Sequence, residues 1–147
     1  MQTDAAPGTI AAVLGSVATG LPYLVIQLVA TLLLLAIGVA IYSAVTPFSE
    51  RRLLGEGNAA AGTVLGGATV ALAIPLATIL ATTGSLLAIV IWGVVALVLQ
   101  LLTFALVSLL LRNLRAQIEA GHVGPAVVLA ASHIAVALIN AAAMVPT

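Results

Sequence analysis

"LLAIVIWGVVALVLQLLTFALVSLLL", from Leu86 to Leu111, contains no charged side chain and a single amide, that of Gln100. About 20 apolar residues are enough for a helix to cross the roughly 30 Å hydrocarbon core of a bilayer. Backbone polar groups in lipid need internal partners, which only helices and closed barrels supply. Because the stretch lacks the alternation of barrel strands, it predicts a transmembrane helix.

The composition of the whole chain agrees with this interpretation. Of its 147 residues, 63% are hydrophobic and 5% are charged, whereas soluble proteins carry about a quarter charged residues. The net charge is zero, and without a basic stripe we expect no nucleic-acid partner. The absence of cysteine excludes disulfides, thiolate nucleophiles and cysteine-ligated metals. We expect a single membrane domain over residues 1–147, with the lipid bilayer as its main partner.

Three further apolar stretches are long enough to span, at about Pro22 to Val45, Ala59 to Ala81 and Val123 to Val145. The predicted fold class is therefore an all-α membrane protein with four transmembrane helices. "GTIAAVLGSVATG", from Gly8 to Gly20, is too short to cross the core. We predict that it forms a short N-terminal interfacial helix that ends before Pro22, within an extracytoplasmic segment of residues 1–20. A fifth span or a re-entrant helix is the alternative.

The connections between the spans predict the topology. All four arginines lie in the loops around 46–58 and 112–125, and the loop between the second and third spans has none. Two crossings separate the arginine loops, so both face the same side. The positive-inside rule makes that side cytoplasmic. We expect a multi-pass protein of the bacterial inner cell membrane with both termini outside.

Each arginine loop also contains helix-capping signals. In the first, Gly55 and Gly57 are expected to end a short helix and Asn58 to cap the second span. In the second, residues 112–119 are expected to continue the third span until Gly121 ends it.

The two halves of the chain show an internal repeat. A shift of 64 residues places "EGNAAAGTVLGGATVALAI", from Glu56, over "AGHVGPAVVLAASHIAVAL", from Ala120. Both halves share an order of apolar span, arginine, glycine and small-residue span. We predict two parallel two-helix repeats, at about residues 22–81 and 86–145.

Three segments carry a resemblance to a known family. They are "TPFSERRLLGEGNAAAGTVLGGATVALAIPLA" from Thr46, "WGVVALVLQLLTFALVSLLL" from Trp92, and "IEAGHVGPAVVLAASHIAVALINAA" from Ile118. Together they resemble the YjfL-type family of bacterial integral membrane proteins, domain of unknown function 350, usually two copies of a two-helix unit. The resemblance implies a multi-pass membrane protein without an established activity. His122 stands where the family pattern favours asparagine.

The polar residues inside the spans are the candidate site. An ionisable side chain within a span is a functional hypothesis by default, and His133 lies about 15 Å along its helix at 1.5 Å per residue. Asn140 lies two turns further on the same face. His133 and Gln100 are expected at similar depths in the membrane, and so are Asn140 and Gln27, so we predict that each two residues form a pair. These groups either join the helices by hydrogen bonds or line a polar path for protons or a small solute, with His133 as a neutral but titratable group.

No other residues suggest a metal-binding, catalytic or cofactor site. Gly124 and Pro125 separate His122 from His133, and no carboxylate lies near His133 in the sequence, so we predict no metal site. The glutamates lie in the arginine loops, where ion pairing or solvation is expected. We predict no catalytic residue, no cofactor and no identifiable small-molecule ligand.

Small residues predict how the helices pack. Gly62, Gly66 and Gly67 in the second span are expected to face a closely packed helix, since such residues let helices approach. The fourth span is the expected neighbour, and a homo-oligomer interface is the alternative.

Two function classes stay open. The first is a non-enzymatic structural or stress-associated membrane subunit, and the second is a small channel or carrier with a polar path around His133, Gln100 and Asn140.

Overall fold

The computed structural model describes residues 9–47, 49–83 and 85–145, and all regular structure in that part of the chain is helical. The helices are α1 (Ile10–Val45), α2 (Glu50–Gly55), α3 (Ala59–Thr82), α4 (Leu86–Leu110), α5 (Leu114–Glu119) and α6 (Val123–Met144). By length and composition, α1, α3, α4 and α6 can each cross a membrane. The prediction of an all-α protein with four spans is confirmed.

The N-terminal region differs from the prediction. Instead of a short helix that ends before Pro22, the chain forms one helix of 36 residues with Gly20 and Pro22 inside it. The Thr9 hydroxyl caps this helix by accepting from the amide of Ala12. Proline removes only one backbone donor, and apolar surroundings offer the other amides no competing partner, so the helix continues past it. The remainder of the predicted extracytoplasmic segment, residues 1–8, lies outside the described residues.

The centre of the fold is the contact between α3 and α6. One face of α3 buries mainly small residues, including Ala60, Val64, Ala68 and Ala71, all at 0% exposure. A Cβ atom added to Gly67 would lie 2.4 Å from the Cβ of Ala130 on α6. Two carbon atoms cannot approach that closely, so the contact depends on glycine. The close packing predicted for the second span is present at Gly67.

The other two glycines of that prediction lie elsewhere. A Cβ at Gly62 would meet Leu54 of α2 at 3.3 Å, while a Cβ at Gly66 would meet no atom within 4 Å. Gly66 is exposed, as is Val70 one turn later. Neighbouring residues of a helix are turned by about 100°, and here Gly67 faces α6 while Gly66 faces outward. The close packing expected at Gly66 is therefore not found.

Both arginine loops lie at the same end of the bundle. Asn58 caps α3 by accepting from the amide of Ala61 at 3.0 Å. Its own amide nitrogen donates to the carbonyls of Ile118 at 2.9 Å and Glu119 at 3.2 Å, at the end of α5. Gly57 and Gly121, with φ of 78° and 82°, terminate α2 and α5. Because φ is positive at both positions, glycine is the favoured residue.

The third span does not continue into the second arginine loop as predicted. Helix α4 ends at Leu110, and Asn113 adopts a left-handed conformation with φ of 58° before α5 begins. This turn directs Leu114 and Ile118 into the apolar cluster around the α3–α6 contact. A straight extension of α4 would have carried both side chains away from the bundle, so burial of apolar surface favours the turn.

Alanine substitutions at two adjacent glycines test the α3–α6 contact. We expect Gly67→Ala to lower the free energy of unfolding by about 1 to 3 kcal/mol, because the added methyl group overpacks against Ala130. Gly66→Ala is the matched control, and we expect it to match or slightly exceed the wild type. Unfolding of both variants in mixed micelles measures the difference. Equal stability of the two variants would contradict the packing described here.

Candidate functional site

His133 is the centre of a polar chain that joins three helices. It lies on α6 at 0% exposure. Its Nδ1 atom lies 2.6 Å from Oε1 of Gln100 on α4. Its Nε2 atom lies 2.9 Å from the hydroxyl of Tyr42 on α1. The structure thus places Gln100 against His133, at the depth where the sequence paired them.

The chemistry of these partners fixes the protonation pattern of the ring. An amide oxygen accepts hydrogen bonds and cannot donate them. Nδ1 of His133 therefore carries the hydrogen and donates it to Gln100. In the neutral ring, Nε2 then has a free lone pair, which accepts the hydroxyl hydrogen of Tyr42. A neutral imidazole has one donor and one acceptor, and both are used.

Tyr42 was not among the residues that the sequence indicated. It begins the last turn of α1, where the sequence suggests only an aromatic ring at the membrane interface. The structure buries it completely, because its ring packs edge-on against His133 and Phe104, with centroids 5.4 Å and 6.4 Å away. A helical side chain leans toward the N-terminus of its helix, so the hydroxyl reaches back along α1 to the depth of His133. No spacing in the sequence reveals this contact between distant helices.

Asn140 and Gln27, the second pair predicted from depth, lie on α6 and α1. Asn140 is half-buried, and its amide nitrogen has no hydrogen-bond partner within the described residues. Gln27 is 8% exposed, and its backbone carbonyl accepts the hydroxyl of Thr31 at 2.7 Å. The pairing of Asn140 with Gln27 stays a prediction.

Glu50 is a second buried polar group, and its environment differs from the one expected. It begins α2 and is only 1% exposed. Ser43 donates to Oε2 at 2.6 Å, and Thr46 donates to Oε1 at 3.4 Å. Burial raises the pKa of Glu50, and the two hydroxyl hydrogen bonds oppose this rise.

The expectation of solvation or ion pairing is correct for the other two glutamates. Glu56 pairs with Arg52 and Glu119 pairs with Arg115, each at 2.9 Å. Among the described residues, no arginine reaches the carboxylate of Glu50 within ion-pair distance. The reason is the placement of α2, which turns Glu50 toward the end of α1 and leaves Arg51 and Arg52 exposed. Sequence position alone could not distinguish the three carboxylates.

Three cavities lie among the described helices. One, of about 240 Å³, is lined by Glu50, Arg51, Ser43, Ser49, Ala40 and Ala44. Two others, of about 100 Å³ and 170 Å³, have apolar linings from α1, α3 and, for the smaller one, α4. None of these three touches His133. Over the described part of the chain, no group of three or more His, Cys, Asp or Glu residues is placed to hold a metal ion.

Removal of one hydroxyl group tests the polar chain. We expect Tyr42→Phe to lower the free energy of unfolding by about 1 to 2 kcal/mol, because Nε2 of His133 would lose its donor with no water to replace it. Ser132→Ala is the control, since that hydroxyl donates only to the Val128 carbonyl of its own helix. Unfolding in mixed micelles would show the loss. Wild-type stability of Tyr42→Phe would contradict the hydrogen bond.

The family comparison agrees with the resemblance seen in the sequence. Residues 16–144 match the family model described as Domain of Unknown Function (DUF350). No curated protein and no solved structure matches the chain. The match covers both arginine loops and all four long helices, except for the first turns of α1. The chain therefore belongs to the DUF350 family.

Proposed function

We propose that this membrane protein is a non-enzymatic structural subunit of the bacterial inner membrane, and that it acts by assembling with other chains in the bilayer. The main support for the proposal is that His133 is buried and that both of its ring nitrogens have partners. The single imidazole of the four spans is enclosed, and both of its nitrogens are occupied by Tyr42 and Gln100. Such a group is suited to holding three helices together.

The same geometry supports conduction less well. A proton-carrying imidazole must exchange its hydrogen with water or with another relay group on each side. His133 would have to break a bond to Tyr42 or Gln100 before any exchange, and none of the three cavities described above reaches it. A channel or carrier around His133, Gln100 and Asn140 therefore has the weaker support.

Helix α1 supports assembly with another chain. Of its 36 residues, only Gln27, Thr31 and Tyr42 are buried. Residues 13–26 are exposed throughout. At 1.5 Å per residue the helix is about 54 Å long, well beyond the roughly 30 Å of hydrocarbon. We propose that this N-terminal arm of α1, residues 10–26, packs against a second copy of the chain.

The proposed orientation places both arginine loops in the cytoplasm. Its support is the pair of hydrogen bonds from Asn58 to the end of α5, which brings the two loops together, and the positive-inside rule. The helix termini at Ile10 and Met144 would then face outward.

Cross-linking and flux measurements test the proposal together. The natural chain has no cysteine, so single-cysteine variants give clean disulfide cross-links. We expect Val17→Cys, on the arm, to form covalent dimers in native membranes. We expect Leu109→Cys to form few, although Leu109 is 82% exposed on α4.

We also expect reconstituted vesicles to admit protons no faster than protein-free vesicles, with a protonophore as positive control.

Two outcomes would contradict the proposal. Particles that contain one chain each, together with no cross-linking at Val17→Cys, would exclude assembly through the arm. Proton flux that is present in the wild type and lost in Tyr42→Phe would show that the polar chain conducts.

A further inference from the structure

The two halves of the chain build matching helices in matching order. Helices α2 and α5 begin at Glu50 and Leu114, and α3 and α6 begin at Ala59 and Val123, each pair 64 residues apart. Both short helices have six residues and are followed by a glycine with positive φ. From α2 onward, each position of the first half can therefore be compared with the residue 64 positions later.

The comparison shows that the buried carboxyl group is present in one half only. Leu114, the counterpart of Glu50, is just as buried, with 2% exposure against 1%. The second half fills this position with hydrocarbon, so a loop of this shape does not require a carboxyl group. Replacement of buried polar groups by apolar ones is often neutral or stabilising, so we infer that Glu50 serves a purpose other than folding.

The surroundings of Glu50 determine which ligand suits it. A buried carboxylate without a cationic partner is unfavourable, and the usual response is to bind a proton. The titratable and charged groups nearest to it are Tyr42 on α1 and Arg51 on α2, and α3 contains no Asp, Glu, Lys, Arg or His. Burial has the largest effect on the pKa of this carboxyl group and favours its protonated form.

A route for the proton is also present. The cavity of about 240 Å³ has Glu50, Ser43 and Ser49 in its wall. Its volume exceeds that of a water molecule several-fold, since a water occupies about 30 Å³ of liquid. Polar walls favour hydration, so water in this cavity can deliver and remove a proton.

We propose that Glu50 is a proton-binding site at the arginine-loop end of the bundle, and that its protonation alters the hydrogen bonds between α1 and α2. The ionised carboxylate only accepts hydrogen bonds, from Ser43 and Thr46. Protonation by water from the cavity turns one of these oxygens into a hydroxyl that donates and accepts less strongly, so the hydrogen bond at that oxygen weakens or reverses. The site is independent of the subunit role proposed above.

The sign of the effect on stability follows from the direction of the pKa shift. A raised pKa means that the folded chain holds the Glu50 proton at pH values where the unfolded chain has lost it. The free energy of unfolding therefore falls as pH rises from the ordinary glutamate pKa to the raised one, and this contribution is level above that window.

Carboxyl NMR of protein labelled at glutamate measures the site directly. The chain has three glutamates, at positions 50, 56 and 119, and Glu50→Gln assigns the first resonance. We expect the Glu50 midpoint to lie above the ordinary value of a glutamate. Ser43→Ala should move this midpoint higher still, because the lost hydrogen bond favours the ionised form. A Glu50 midpoint at or below the ordinary glutamate value would overturn the proposed site, and an unchanged midpoint in Ser43→Ala would overturn the coupling.

Stability measurements provide the second readout. We expect Glu50→Gln to lose the fall in stability that accompanies a rise in pH above the ordinary glutamate pKa, and Glu56→Gln, the matched control with an exposed ion pair, to keep it. The same pH dependence in both variants would contradict the proposal even if Glu50→Gln folds less well.

Discussion

Hydrocarbon offers no water to a polar side chain, and the arrangement of this bundle follows from that constraint. An imidazole at mid-depth must find a donor and an acceptor within the protein or remain unsatisfied. His133 finds them on two different helices, in Gln100 of α4 and Tyr42 of α1. Because both bonds are directional, they fix how α1 and α4 are rotated about their axes relative to α6. Dispersion between apolar surfaces alone would specify those rotations weakly.

Close approach of the backbones makes this arrangement possible. Gly67 and Ala130 let α3 and α6 pack tightly, and this pair is the surface on which α1 and α4 lie. A second close approach occurs at Gly93 of α4, where a Cβ would lie 2.7 Å from the side chain of Leu34 on α1. Small residues therefore determine where the helices touch, and the polar chain determines their rotation. Most large apolar side chains of α4 remain exposed, which suits contact with lipid.

The sequence alone was enough to predict the structural features that depend on segment length, composition and depth in the membrane. It located four spans and brought Gln100 to the level of His133, because position along a helix converts directly to depth. It could not predict what depends on rotation and on contacts between distant segments. Gly66 and Gly67 are adjacent, and only the packed structure shows which of them faces α6. Tyr42 and Glu50 were missed for the same reason, since an aromatic ring and a loop carboxylate are ordinarily exposed. The continuation of α1 through Pro22 depends on its apolar surroundings, which outweigh the local preference of proline.

In this structure His133 is held as a neutral imidazole between Tyr42 and Gln100. Nitrogen NMR of ¹⁵N-histidine in lipid bilayers at pH 7.5 tests this state of the ring most directly, because His122 is the only other histidine and is exposed. We predict that His133 exists as a single tautomer, with hydrogen on Nδ1 and an unprotonated Nε2 that is hydrogen-bonded to a tyrosine hydroxyl. Hydrogen on Nε2, or an averaged signal from an imidazole that exchanges its proton freely, would contradict it.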